Sequence, residues 1–155
     1  IDDAKAKALE FLNSRGFTSM ASTYYIDENN IATINFAYTQ DSVTIYPDLI
    51  KVSVTMDNGD IIGFESAGYL FSHEKRSITT PKVSVEEAKS NINQDLNPEY
   101  SGLAIIPTDV KTEVLVHEFK GKVDNRDFIV YINAETGKEE NILIIINTPN
   151  GILTI

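Results

Sequence analysis

At the head of the chain Ile1, Ala4, Ala8, Phe11 and Leu12 fall at three- and four-residue steps, with Lys5, Lys7 and Glu10 between them. That spacing gathers the apolar side chains on one face and predicts an amphipathic helix. Arg15-Gly16 marks its end, because glycine after a basic last turn is a common helix stop. The period then changes from 3.6 to 2. Ala32, Ile34, Phe36 and Tyr38 alternate with polar or small residues, and so do Ile50, Val52, Val54 and Met56. Both stretches read as half-buried antiparallel strands. Asn29-Asn30 and Asn58-Gly59 read as turns, the second as a strong hairpin signal because both residues tolerate positive φ.

The same order then recurs. Ser84 precedes Glu87 by three residues, the capping-box spacing, and Val85, Ala88, Ile92 and Leu96 form a second helical stripe that Asn97-Pro98 should terminate. Leu103 to Ile106, Val114 to Phe119, Phe128 to Ile132 and Ile142 to Ile146 read as strands. Gly121 to Asn125 and Ala134 to Gly137 read as the turns between them. Laid over one another, Ala4, Ala8 and Leu12 fall on Ala88, Ile92 and Leu96 in one register. The expected fold is α+β: two tandem units, residues 1–78 and 79–155, each a helix packed on a small antiparallel sheet and joined near Ser77 to Pro81.

Composition narrows the classes of function. The chain has 155 residues, 42% of them hydrophobic, enough for a core; each half alone is near the size at which burial becomes marginal. Its formal charge of −10 argues against nucleic acid, which needs clustered Lys and Arg to neutralise phosphate. It suits a partner with a basic face. With no cysteine, the chain makes no disulfide, thiolate zinc site or cysteine nucleophile. The apolar run Ile142 to Ile146 is far shorter than the roughly 20 residues of a spanning helix. A start at Ile1 reads as a fragment or processed form, with any anchor upstream.

Candidate chemistry is sparse. His73 and His117 have no metal-ligand spacing, and His117, mid-strand, reads as a cross-strand partner. Glu86-Glu87 and Glu139-Glu140 are the pairs that could serve as acid and base of a glycosidase, but a helix N-terminus and a solvated turn account for them more simply. Asp57-Asn58-Gly59-Asp60 lacks the ligand spacing of a calcium loop. No catalytic set, metal site or cofactor is expected. Phe36, Phe119 and Phe128 read as core. Tyr69 and Phe71, beside a glycine, together with His73 and Arg76, are the candidates for contact with a partner, since aromatic and arginine anchors favour interfaces.

The order of helix, strands and a glycine turn resembles the PepSY domain. More narrowly it is similar to the C-terminal region of the YpeB family of spore-germination proteins. The residues that carry the resemblance are Gly68 to His73, Leu103 to Thr108, Glu118 to Gly121, Phe128 to Glu140 and the ending Thr148 to Thr154. The resemblance implies a non-enzymatic partner of a cortex-lytic enzyme of the SleB type, a lytic transglycosylase, which it stabilises or inhibits. It also implies a place on the outer side of the inner spore membrane, with an N-terminal anchor and a further domain upstream. Competing readings are a peptidoglycan hydrolase using paired carboxylates, and a peptide-binding or protease-inhibitor-like domain. An open strand edge would also allow a homodimer.

Overall fold

A computed structural model of the chain describes residues 1–110, 112–148 and 151–154, with 147, 148 and 151–154 described by their backbone alone. The chain divides into two compact units: Ile1–Asp41 with Ile45–Glu74 and Asn147–Leu153, and Ser42–Thr44 with Lys75–Ile146 and Thr154–Ile155. Both are of the expected α+β kind.

In the first unit, helix α1 (Asp2–Ser14) is followed by strands β1 (Met20–Glu28), β2 (Ile31–Gln40), β3 (Val43–Thr55) and β4 (Ile61–Glu65). The strands form an antiparallel meander, with Met20 opposite Tyr38 and Lys51 opposite Glu65. The backbone of β9 (Gly151–Thr154) pairs with β1, Gly151 opposite Ile26. Ala4, Ala8 and Leu12 of α1 are buried on Ala32, Ile34, Phe36, Ile50, Val52 and Val54. Each of the larger side chains contributes about 1.5–3 kcal/mol by leaving water. The helix ends where expected. Gly16 takes φ +85°, its N–H donates to Asn13 O, and the Phe17 N–H reaches back to Leu12 O, which satisfies carbonyls the helix leaves open.

In the second unit, α3 (Val85–Ser90) and a 3₁₀ turn (Gln94–Leu96) precede β5 (Glu99–Pro107), β6 (Glu113–Val123), β7 (Arg126–Asn133) and β8 (Glu139–Thr148). These four strands again form a meander, each antiparallel to the next. Ala88, Ile92 and Leu96 are buried, as the overlay on Ala4, Ala8 and Leu12 requires, and pack with Phe119, Val130 and Ile132. Phe36 and Phe119 are core residues, and Phe128 is partly buried against the second core.

Three local expectations need correction, and a fourth is met with a different geometry. The second helix does not run to Asn97. Ser90 Oγ donates to Glu87 O, Asn93 Oδ1 accepts from Asp95 N, and Gln94 Nε2 donates to the carbonyls of Lys89 and Ile92. Side chains thus compete with the helix ladder and break it after Ser90. The turn at Asn58-Gly59 does join antiparallel β3 and β4 as a hairpin, but not with both residues at positive φ. Gly59 alone of the pair is at positive φ, and Thr55 N donates to Asp60 O across a wider loop. The turn predicted over Gly121 to Asn125 is confined to Asp124-Asn125, both left-handed, while Gly121 to Val123 belong to β6. Finally, a short helix α2 (Ala67–Ser72) stands where no element was expected. Part of the ending Thr148 to Thr154 lies outside the described residues.

Candidate functional site

The first unit carries a row of aromatic rings that ends at α2. Phe64 of β4 meets Phe11 edge-on at 5.5 Å and Phe17 at 5.6 Å, and Phe17 meets Tyr69 of α2 edge-on at 5.2 Å. Tyr69 stacks on His73, ring centroids 4.1 Å apart and 14° from parallel. Tyr38 of β2 stands nearly perpendicular to both, at 6.3 and 4.7 Å. On the far side of the imidazole, Nδ1 lies 2.8 Å from Oδ2 of Asp48, whose side chain has no solvent exposure, whereas the His73 side chain is 31% exposed. The carboxylate accepts, which places the ring proton on Nδ1. Burial, then the neighbouring Tyr38 and Asp48 charges, hold the Tyr69 phenol above its ordinary range.

This arrangement clamps a helix with no core of its own. α2 has no buried residue. It lies so close to β3 that a Cβ on Gly68 would approach Leu49 O to 3.2 Å. Tyr69 and His73 hold it from below, and two of the three residues between them point away: Leu70 is 69% exposed and Phe71 91%. Of the four residues expected to make partner contacts, Phe71 is therefore on open surface, Tyr69 packs against the first core, and His73 spans the two. The fourth, Arg76, belongs to the second unit. Its guanidinium is nearly buried and is held by both carboxylate oxygens of Glu113, at 2.6 and 2.8 Å. Leu70 was not singled out from sequence. Its signal was an apolar pair, Leu70-Phe71, in a stretch without strand alternation.

The second unit contains a cleft of about 310 Å³ lined by Thr79, Lys82, Glu113, Leu115, Asn133 and Glu135 among others. Its ionic groups are engaged: Glu113 by Arg76, and Glu135 by Lys82, whose hydrogen bond holds the Glu135 carboxyl below the usual range. Glu86, Glu87, Glu139 and Glu140 are all exposed, and Glu140 accepts from Asn133 Nδ2. His117 sits in β6 opposite Leu103 of β5 and Ile132 of β7, as a cross-strand residue should. It is buried, with Nε2 2.8 Å from Val83 O, and so ties the segment before α3 onto β6; Nδ1 faces the core without a partner. Among the described residues no group of three or more His, Asp or Glu could hold a metal ion. No helix among them is long and apolar enough to cross a membrane.

Comparison with known proteins places this geometry. Residues 1–79 match the family model described as YpeB sporulation, PepSY1 and PepSY2 domains. Sporulation protein YpeB of Halalkalibacterium halodurans is 37% identical over 142 residues, covering 92% of this chain and 32% of the relative. The Bacillus subtilis protein of the same name is 34% identical over 146 residues, again 92% of this chain and 32% of that one. This chain spans about a third of the length of these relatives. The Bacillus megaterium YpeB C-terminal domain superimposes with a TM-score of 0.83 at 36% identity, over 94% of this chain and 65% of that one. The chain belongs to the YpeB family of sporulation proteins, built on PepSY domains.

Proposed function

We propose that this chain is a non-enzymatic binding module of sporulation, which docks a cortex-lytic enzyme of the lytic transglycosylase class on the outer side of the inner spore membrane and thereby restrains or shelters it. The observation that carries the reading is α2: a six-residue helix braced by Tyr69, His73 and buried Asp48, with Leu70 and Phe71 held out in water. A large apolar side chain at 91% exposure is the kind of anchor that fills a partner's pocket and dominates binding energy. Charge supports the reading too. The first unit has Lys5, Lys7, Arg15 and Lys51 as its basic side chains, far outnumbered by Asp and Glu, which suits a partner with a basic face and favours fast encounter.

The experiment is a titration of the chain against the purified lytic enzyme at low and moderate salt, with wild type and Phe71→Ala side by side. Binding that weakens with salt, and falls by about tenfold or more in the variant, is the expected result. No binding by wild type at either salt sinks the reading. Release of muropeptides from cortex peptidoglycan by the chain alone would replace it with a hydrolase.

A further inference from the structure

The turn between β3 and β4 contains the residue pair most prone to spontaneous rearrangement of the polypeptide, and the fold holds it shut. In Asn58-Gly59 the glycine has no side chain to shield its backbone nitrogen. That nitrogen can attack the Asn58 side-chain carbonyl carbon whenever the two meet. A new C–N bond forms, the bond from Cγ to Nδ2 breaks, and ammonia departs with the proton from the Gly59 nitrogen. Water then opens the cyclic imide at either carbonyl, leaving aspartate or isoaspartate at position 58.

Every atom that must move is restrained here. The Gly59 N–H, which has to lose its proton, donates to Thr55 O at 3.0 Å. Asn58 Oδ1 accepts from Asp60 N at 3.1 Å and from the Thr55 hydroxyl, and Nδ2 donates to Asp60 Oδ2 at 2.8 Å. The backbone carbonyl of Asn58 accepts from Lys7 Nζ of α1 at 2.9 Å. The Lys7 side chain lies over Gly59 so closely that a Cβ there would come within 2.4 Å of Nζ. Helix and turn are thus latched by one exposed lysine, while both polar atoms of the Asn58 amide are tied to Thr55 and Asp60.

We infer that Asn58 is a latent modification site whose reactivity reports opening of the Lys7 latch. The consequence is directional. Conversion to aspartate replaces the donor to Asp60 by a carboxylate, beside Asp57 and Asp60, in a chain already at −10. Repulsion then replaces the hydrogen bond, and the isoaspartate product also lengthens the backbone within the turn. Opening the latch once makes it harder to close.

The test follows Asn58 by peptide mapping and isoaspartate quantification during incubation at mildly alkaline pH. Samples are the folded chain, the chain in concentrated urea, and folded Lys7→Ala and Thr55→Val variants. The expected result is conversion at least about tenfold slower in the folded chain than in urea, because reaction proceeds only through the opened turn. Both variants should convert several-fold faster than folded wild type. Urea melts of each variant separate local opening from global unfolding, and an Asn58→Asp chain should melt earlier than wild type. Equal rates in folded and unfolded wild type would overturn the inference. So would variants that melt like wild type and show no acceleration.

Discussion

The imidazole of His73, nearly a third exposed, hydrogen-bonds through Nδ1 at 2.8 Å to the carboxylate of Asp48, which has no exposure at all. One end of the pair is thus anchored inside the first unit while the other sits at its surface. Hydrogen bonds to charged groups are worth about 1.5–3 kcal/mol, at the upper end where the acceptor is desolvated. His73→Ala should lower the urea-unfolding free energy by about 2 kcal/mol. His73→Gln, which can still donate toward Asp48, should recover part of it. Equal loss in both variants would mean that the Tyr69 stacking, and not the hydrogen bond, holds α2.

Stability at high pH follows from Tyr69. Burial first, then the charges of Tyr38 and Asp48, raise its phenol pKa in the folded chain. In the other unit burial raises that of Tyr100. The fold favours the neutral form of each, so their contribution is complete below the unfolded value of about 10 and disappears as pH rises through the folded values. Chemical denaturation from pH 9 to 12 should show a steeper alkaline loss in wild type than in a Tyr69→Phe, Tyr100→Phe double variant. Ultraviolet titration should show late phenolate absorbance missing from the variant.

Much of this fold was legible because burial and period agree. The stripe Ala4, Ala8, Leu12 and the alternation through Ile50, Val52 and Val54 are core positions with little exposure. Turns were harder. Asn58-Gly59, the pair with the strongest hairpin signal, closes a wider loop, whereas Asp41-Ser42, with no glycine, takes positive φ at both residues. Strand register on either side decides turn type, and a dipeptide does not encode it. The end of α3 depended on bonds from Ser90, Asn93 and Gln94 that compete with the helix at short range. The surface at α2 was half legible. Tyr69, Phe71 and His73 stood out by type, but Asp48, 25 positions before His73, had no local mark as its partner.

The cap of α3 offers a local test of the second unit. Ser84 Oγ accepts from the Glu87 N–H at 3.1 Å, at the start of a helix of only six residues. Ser84→Ala should cost about 1 kcal/mol, and Ser84→Asp should restore it, since aspartate caps and also favours the positive end of the helix. Hydrogen exchange at Glu87 and Ala88 should accelerate in the alanine variant. Unchanged exchange there would show that packing of Ala88 and not the cap holds the helix.

Two glycines separate backbone conformation from space. Gly16 sits at φ +85° with nothing within 4 Å of where a Cβ would be, so alanine there suffers only the left-handed backbone, about 1–2 kcal/mol. Asparagine, which tolerates that region, should restore part of the loss. Gly121 is different. A Cβ there would lie 2.7 Å from the carbonyl oxygen of Leu96 and 3.1 Å from its Cβ, because the 3₁₀ turn rests directly on β6. Alanine must push the turn away and loosen Leu96, which is 7% exposed, from Phe119 and Val130, at a cost of about 1–3 kcal/mol. Asparagine at 121 is larger still and should be worse. Urea melts of the four variants test this: rescue by asparagine at 16 with further loss at 121 is expected, and rescue at both would show that the 3₁₀ turn does not need the bare backbone of β6.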